Sequence, residues 1–331
     1  MNQAMKSRCE LFVQNRNEIR SRFSWENSYM YPLSASIFTG RNMSVNIERM
    51  EECKKLLKQE TGPFSNFRGM SRLAIISLLA ADASPERRLK NSLSAYGELK
   101  NEFYYSAYLP VTAIIMADMV QPEEYSEVAR RTRRIYDLMK KEHPLLTSGE
   151  DSSMAVLLAL SNKDERLAVE EMEECYKVLK EHFFSGNAVQ SLSHVLTLGE
   201  GSPGEKCRKS IELFEKLKSA GCKYGTGYEL PTLGVLALLD AGTELVASEV
   251  AEVNDYLKTQ KGFGAFGIGA KQRVMYAGML VADEYTTEEP KALNTAAISG
   301  TISMVAAQEA ALLAAIAAST AAASASSGAS D

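Results

Sequence analysis

The stretch AVEEMEECYKVLKEHFFSGNAVQSLSHVLTLG, residues 168–199, decides the fold of this 331-residue chain. Its first half places apolar side chains three and four residues apart, with glutamates early and lysines late, as an amphipathic helix with a favourable dipole does. The break SGN follows, and its Ser185 and Asn187 side chains can accept hydrogen bonds from the first turn of a second helix. The more apolar run after it stops at Gly199. The stretch therefore predicts a helical hairpin.

The same pattern recurs along the chain at intervals of 38 to 42 residues. Each copy has a basic residue after a large aliphatic one, and we call these basic positions the basic column: Arg20, Lys58, Lys100, Lys140, Lys180, Lys218 and Lys258. In the four central copies an aromatic residue stands four positions before the basic one: Tyr96, Tyr136, Tyr176 and Phe214. Prolines 32, 110 and 231 lie near the start of a second helix, where the missing N–H has no cost. The pattern predicts about seven hairpins of ~40 residues.

No alternating strand pattern interrupts the repeats, so the predicted fold class is all-α. The period is longer than that of tetratricopeptide repeats and close to that of HEAT and armadillo units, although the signatures of these families are absent. Two architectures fit. We favour an open α/α superhelical array, in which each hairpin touches only its neighbours. The alternative is a closed α/α toroid, in which the hairpins surround a central cavity.

The chain is expected to form one repeat domain, residues 1–290, followed by a tail, residues 291–331. The polar segment DEYTTEEPKALN (283–294) separates the two. The tail is rich in alanine, which predicts a helix over about 295–318 and then a disordered Ser/Ala/Gly end. We expect this helix to cap the array rather than to span a membrane, because Gln308 and Glu309 lie within it.

Composition excludes several classes of function. The net charge of −5 gives no broad attraction for nucleic acid or for an anionic membrane. The charged N-terminus has no apolar signal segment, so we expect a cytoplasmic protein. The five cysteines are dispersed along the chain, which favours reduced thiols over a disulfide framework or a zinc site.

Motifs for catalysis are also missing. His143, His182 and His194 stand in no metal or catalytic motif, and we interpret them as structural. Glu150, Asp151 and Glu229 fall near second-helix starts, but no acid/base pair can be named among them. The basic column is what helix dipoles and solubility require. We expect no cofactor and no metal, and the balance is against an enzyme.

The segment KGFGAFGIGAKQR (261–273) contains the phosphate-loop spacing G-x-G-x-x-G. A helix precedes it where a nucleotide site needs a strand, and Ala270 stands where a P-loop needs lysine. We therefore interpret the segment as the turn of the seventh hairpin. Anion binding at the following helix start, near Lys271 and Arg273, remains the alternative.

The turns between the paired helices are the predicted functional surface, because solenoids bind partners along such rims. The candidate partner-binding residues are Phe67, Arg68, Tyr108, Asp151, Asn187, Gln190, Tyr228, Glu229, Phe266, Lys271 and Arg273. The competing interpretation is that they only cap helices and bridge turns. We expect a protein or peptide partner, no nucleic acid and no membrane, and we leave the oligomeric state open.

A second function stays open: an enzyme or small-ligand binder that uses a cavity inside a toroid. Carbohydrate processing is disfavoured because the single tryptophan, Trp25, is expected to lie outside the turns.

Four segments and the tail carry a family resemblance: ETGPFSNFRG, NAVQSLSHVLTLGEGSPGEKC, YELPTLGVLALL, QKGFGAFGIGAKQRVMYAGMLVAD and the tail AISGTISM…AAIAAS. They resemble a bacterial family catalogued as a domain of unknown function, number four thousand and three in that series. The resemblance covers nearly the whole chain. It implies a bacterial, cytoplasmic, single-domain protein and supplies no catalytic residues or cofactor.

Overall fold

The computed structural model describes residues 1–288 except Tyr105, Asn162 and Phe266, and for residues 286–288 it describes only the backbone. This part of the chain contains fourteen α-helices and no strand, which confirms the predicted all-α class. The predicted tail helix lies outside the described residues. All five cysteines are buried free thiols.

The helices alternate between two kinds along the chain. Their bounds are α1 Gln3–Arg22, α2 Met30–Thr39, α3 Ile47–Glu60, α4 Arg72–Ala80, α5 Pro85–Glu102, α6 Leu109–Met119, α7 Tyr125–Glu142, α8 Ser152–Leu160, α9 Glu165–Lys180, α10 Gly186–Leu198, α11 Pro203–Ser219, α12 Leu230–Ala237, α13 Thr243–Lys258 and α14 Gly269–Glu288.

Odd-numbered helices are amphipathic and even-numbered helices are almost entirely buried. In α9 the buried residues recur every three or four positions, from Ala168 to Leu179, and the side chains between them are exposed or half-buried. In α8, by contrast, every residue from Ser152 to Ala159 is buried. The odd-numbered helices therefore form an outer layer over the inner, even-numbered ones.

Local sequence explains where each helix starts. Ser185 accepts from the Ala188 N–H at the start of α10, and Asp164 accepts from two N–H groups at the start of α9. Ser202 and Glu205 form a capping box at the start of α11. Prolines 32, 110 and 231 fall within the first three residues of α2, α6 and α12, as predicted.

Each outer helix packs against the inner helix that follows it, and outer helices also pack side by side. An aromatic contact recurs here, between the segment that follows one outer helix and the side of the next outer helix. The ring pairs are Phe67–Tyr96, Phe103–Tyr136, His143–Tyr176 and Phe183–Phe214, with centroids 5.1, 5.4, 4.3 and 5.1 Å apart. The four repeated aromatic residues, Tyr96, Tyr136, Tyr176 and Phe214, therefore each take part in the same kind of ring contact.

The first helix packs against the last hairpin. The Phe12 ring of α1 lies 5.8 Å from both Phe263 and Tyr276. The Arg8 Nε donates to Glu284 Oε2 at 2.8 Å, and the Arg16 guanidinium donates to the Lys261 carbonyl at 3.3 Å. Residues about 250 positions apart in sequence are therefore neighbours.

The last described turns of α14 correct part of one prediction. The segment 283–294 is predicted to be a polar break, whereas its residues up to Glu288 belong to α14, and residues 289–294 lie outside the described residues. Its polar residues find partners on other helices: Glu284 accepts from Arg8 of α1, and the Tyr285 hydroxyl donates to Glu249 of α13 at 2.8 Å. Helix packing satisfies side chains that suggest a loop when only the sequence is considered.

Candidate functional site

We call the segment between an outer helix and the following inner helix a corner, and the surface that the corners form the corner face. Side chains join neighbouring corners. The Asn66 Nδ2 donates to the Ser106 carbonyl at 2.7 Å, the Tyr108 hydroxyl donates to Glu150 at 3.5 Å, and Gln190 Nε2 donates to the Thr147 hydroxyl at 2.8 Å. These contacts link the second, third and fourth corners and tie α10 to the fourth.

Five of the predicted partner-binding residues are buried and support the corners from beneath. Phe67 packs edge-on against Tyr96, and Gln190 holds the Thr147 hydroxyl. Arg273 donates to Asn254 Oδ1 at 2.9 Å and to the Phe263 carbonyl at 2.8 Å. The remaining two, Asp151 and Glu229, are carboxylates held inside their own corners.

Asp151 and His194 form a buried polar pair beneath the fourth corner. Asp151 Oδ2 accepts from the Ser148 N–H at 2.7 Å, and its Oδ1 lies 3.6 Å from His194 Nδ1. Burial raises the pKa of Asp151 to about 7 and, together with the nearby His143, lowers the pKa of His194 to about 3. Both side chains are buried, and the 3.6 Å that separates them is longer than a hydrogen bond.

Glu229 occupies the sixth corner beside two glycines. Its carboxylate packs against Gly225, where any side chain would collide with it. Burial raises the pKa of Glu229, while the Lys271 charge and the Gly227 N–H lower it. Burial also raises the pKa of Tyr228, to about 12, with a further contribution from the Glu229 charge.

The other predicted residues lie nearer to solvent. Arg68, Tyr108 and Tyr228 are half-buried, and Asn187 and Lys271 are exposed. Phe266 lies outside the described residues. Few of the predicted residues are therefore exposed, and most of the exposed surface of the corners comes from other side chains.

The glycine-rich segment is the seventh corner, between α13 and α14, as predicted. Gly262 and Gly269 adopt positive φ angles of 92° and 78°. A side chain at Gly262 would meet the Arg16 guanidinium of α1, which lies over the Phe263 ring with Cζ 5.4 Å from its centroid. The absence of a side chain at Gly262 therefore leaves the space that the Arg16 guanidinium occupies.

Large exposed apolar side chains are the feature that the sequence analysis missed. Each of the first five corners has one that is at least nine-tenths exposed: Trp25, Phe64, Tyr104, Leu145 and Phe184, which are 98, 90, 92, 96 and 96% exposed. The position of Trp25 corrects the prediction that it lies outside the corners, since α1 ends at Arg22 and α2 starts at Met30.

Four of these side chains follow another ring-bearing residue one or two positions earlier in the sequence. In Phe103–Tyr104 and Phe183–Phe184, a buried or half-buried ring is followed at once by an exposed one. Phe23 and His143 precede Trp25 and Leu145 in the same way, two residues apart. In each of these pairs the first side chain is buried or half-buried and the second is exposed to solvent.

All seven residues of the basic column are exposed in the final turns of the outer helices, next to the corners. Two of them also cap corner carbonyls: Lys140 Nζ donates to the Thr147 carbonyl at 2.7 Å, and Lys180 Nζ donates to that of Phe184 at 2.6 Å. The opposite ends of six outer helices carry an acidic residue in the first turn: Glu48, Glu86, Glu127, Glu165, Glu205 and Glu244.

Within the described chain, no group of three His, Cys, Asp or Glu side chains is arranged to hold a metal ion. Among the described helices, none has both the length and the apolar character needed to cross a bilayer.

Comparison with known proteins identifies the family. A family model described as "Protein of unknown function (DUF4003)" matches residues 15–310. The uncharacterized protein YeaA of Bacillus subtilis (strain 168) is 24% identical over 311 residues, which cover 88% of this chain and 92% of that relative. No solved structure matches. The chain belongs to the DUF4003 family, which confirms the predicted resemblance.

Proposed function

We propose that the seven hairpins close into a ring and that this ring is a binding module whose corner face contacts a partner. The contacts of α1 with α13 and α14 support closure. An open array, the architecture that the sequence favours, would keep the first and last hairpins apart. The toroid alternative brings them together.

The contact between the last and first hairpins uses the same stagger as the contacts within the chain, which also supports closure. Arg134 in the middle of α7 pairs with Glu165 at the start of α9 at 2.9 Å, and Lys216 of α11 pairs with Glu244 at the start of α13 at 2.6 Å. Glu252, well inside α13, pairs likewise with the amino group of Met1, just before α1. The seventh hairpin therefore meets the first as other hairpins meet their successors.

The observation that carries the binding role is the row of exposed apolar side chains. Soluble proteins scatter such residues singly, whereas here they recur at the same place in successive corners. Leaving them in water is unfavourable unless something covers them during function. The sequence predicts a protein or peptide partner, and the apolar pattern requires only a partner with an apolar surface.

Catalysis has weaker support. The buried carboxylates of the corners are engaged locally, Asp151 by the Ser148 N–H and Glu229 by its own corner and Lys271. Each is accounted for by the fold of its hairpin. These carboxylates therefore give no specific support to the enzyme alternative.

A single introduced cysteine tests whether the corner face is covered. Because all five native cysteines are buried, Leu145→Cys on the corner face and Leu167→Cys at the start of α9 each add one exposed thiol. We expect a bulky maleimide to label both variants equally when they are pure. In permeabilised cells that express them, only Leu145→Cys should be protected. Equal labelling of both in cells would contradict the proposed function.

A further inference from the structure

We infer that the partner of the corner face is the surface of an anionic lipid bilayer, on which the protein lies without crossing it. This inference rests on the proposed function, because it names what covers the corner face. Two independent features of the face carry it: the shape and chemistry of its apolar side chains, and the distribution of charge over the molecule.

The exposed apolar side chains project singly from separate corners. Trp25, Tyr104, Leu145 and Phe184 each have more than nine-tenths of their surface in solvent, so none lies in a groove that could receive a peptide. A rigid protein partner would need one pocket for each of them at a fixed spacing. A bilayer interface needs no such match, since a fluid surface accepts side chains wherever they enter.

The residue types also suit this interface. Tryptophan and tyrosine combine an apolar ring with a polar N–H or O–H group, and they concentrate where hydrocarbon meets headgroups. Phe184 and Leu145 have no polar group and can enter further. The lysines beside them keep their charge at headgroup level while their stems cover apolar surface.

Charge is divided between the two ends of the molecule. The basic column lies beside the corners, and acidic residues occupy the first turns of six outer helices at the other end. Eight carboxylates share the corner end: Glu26, Glu60, Glu102, Glu142, Glu150, Asp151, Glu181 and Glu229. Thirteen basic residues lie there, namely the seven of the basic column together with Arg22, Arg68, Lys141, Lys223, Lys261 and Lys271.

An anionic surface would therefore attract the corner end and repel the other, although the whole chain has a net charge of −5. Each basic side chain near such a surface strengthens binding about fivefold. Each apolar side chain transferred into the interface adds roughly a further tenfold. Stable peripheral binding needs two kinds of signal, and the corner face has both.

Trp25 makes the inference directly measurable, because it is the single tryptophan of the chain and 98% exposed on the corner face. We would titrate the full-length protein with vesicles of phosphatidylcholine alone and with vesicles of equal parts phosphatidylcholine and phosphatidylglycerol. With the second kind we expect a blue shift of Trp25 emission, protection from acrylamide quenching, and co-flotation. With phosphatidylcholine alone we expect none of these.

Three variants separate the contributions. Combined Tyr104→Ser, Leu145→Ser and Phe184→Ser should weaken flotation at least 100-fold while keeping Trp25 as the probe. Combined Lys58→Gln, Lys100→Gln and Lys258→Gln, which spare the two lysines that cap corner carbonyls, should weaken it roughly 100-fold and reduce its salt dependence. The matched control, Leu167→Ser with Leu245→Ser at the opposite ends of outer helices, should bind like the wild type. Thermal unfolding of each variant verifies that it is folded.

The inference is wrong if the wild type gives neither an emission shift nor flotation with the anionic vesicles. It is also wrong if the folded apolar variant floats as well as the wild type. Protection of Leu145→Cys in cells combined with no vesicle binding would mean that a protein covers the corner face, so that the proposed function stands and the lipid partner does not. Absence of both would remove both proposals.

Discussion

At the scale of single residues, burial shifts the pKa values of Asp151 and His194 in opposite directions, and the two shifts have opposite effects on the pH dependence of stability. The neutral form of His194 is favoured in the folded state, because burial lowers its pKa to about 3. The protonated form of Asp151 is favoured, because burial raises its pKa to about 7. Acidification below neutral pH therefore destabilises the fold through His194 and stabilises it through Asp151. The two effects largely cancel between about pH 4 and pH 6.5.

Replacing His194 should reveal the pH-dependent contribution of Asp151 to stability, because the opposing contribution of the histidine is then removed. An unfolded histidine takes up a proton near pH 6.5, so the His194 contribution to stability is present above that pH and is lost as the pH falls toward 3. In His194→Gln this loss is absent. We expect the free energy of unfolding of the variant, relative to wild type, to rise by about 2 kcal/mol between pH 7 and pH 5.

Urea unfolding of both proteins at the two pH values measures this difference, and any fixed cost of the substitution cancels in the comparison. A relative stability that does not change with pH would show that His194 is not held neutral in the fold.

The sequence could not separate neighbouring residues with opposite roles. Phe183 packs edge-on against Phe214, whereas the adjacent Phe184 is almost fully exposed. The two have the same side chain, and only the direction in which the chain leaves α9 distinguishes them. For the same reason, Phe67 and Gln190 are predicted on the surface and are buried, while Trp25 is predicted outside the turns and is exposed in the first corner.

At the scale of helices and turns, the seventh corner is shaped by its contact with α1. Gly262 has a positive φ, and the Arg16 guanidinium occupies the space where a side chain would stand. Gly264 lies two residues on with no neighbour in that space and without a positive φ. The two glycines provide a matched pair.

Gly262→Ala should destabilise the protein by at least about 2 kcal/mol, since it strains the backbone and displaces Arg16 from the Lys261 carbonyl. Gly264→Ala should change the free energy of unfolding by at most about 0.5 kcal/mol. Urea unfolding of the two variants tests both statements, and equal effects would mean that the approach of Arg16 does not require Gly262.

Helix spacing was the most predictable property of the elements. The ~40-residue period, the caps and the prolines located the hairpins because these signals are local in sequence. The continuation of α14 through residues 283–288 was not predictable in this way. Asp283 to Tyr285 resemble a loop until Arg8 and Glu249, which are distant in sequence, supply partners.

At the scale of the whole molecule, averages over the chain conceal the distribution that matters. A net charge of −5 gave no indication of the excess of basic side chains at the corner end, where the basic column lies. The repeat itself is compatible with an open array and with a ring. Only contacts between residues far apart in sequence distinguish the two architectures, and a period carries no information about them.

A double-mutant cycle between α1 and the last hairpin tests the proposed ring in solution. Phe12 and Phe263 lie 5.8 Å apart between ring centroids, so Phe12→Leu and Phe263→Leu should couple by about 0.5–1.5 kcal/mol. Phe183→Leu with Phe214→Leu is the positive control, because these two rings lie 5.1 Å apart between neighbouring hairpins, and the pair should couple to a similar extent.

In an open array Phe12 and Phe263 would be far apart, and their effects would add within about 0.5 kcal/mol. Additivity at the first pair together with coupling at the second would therefore exclude the ring, whereas coupling at both requires that the seventh hairpin pack against the first.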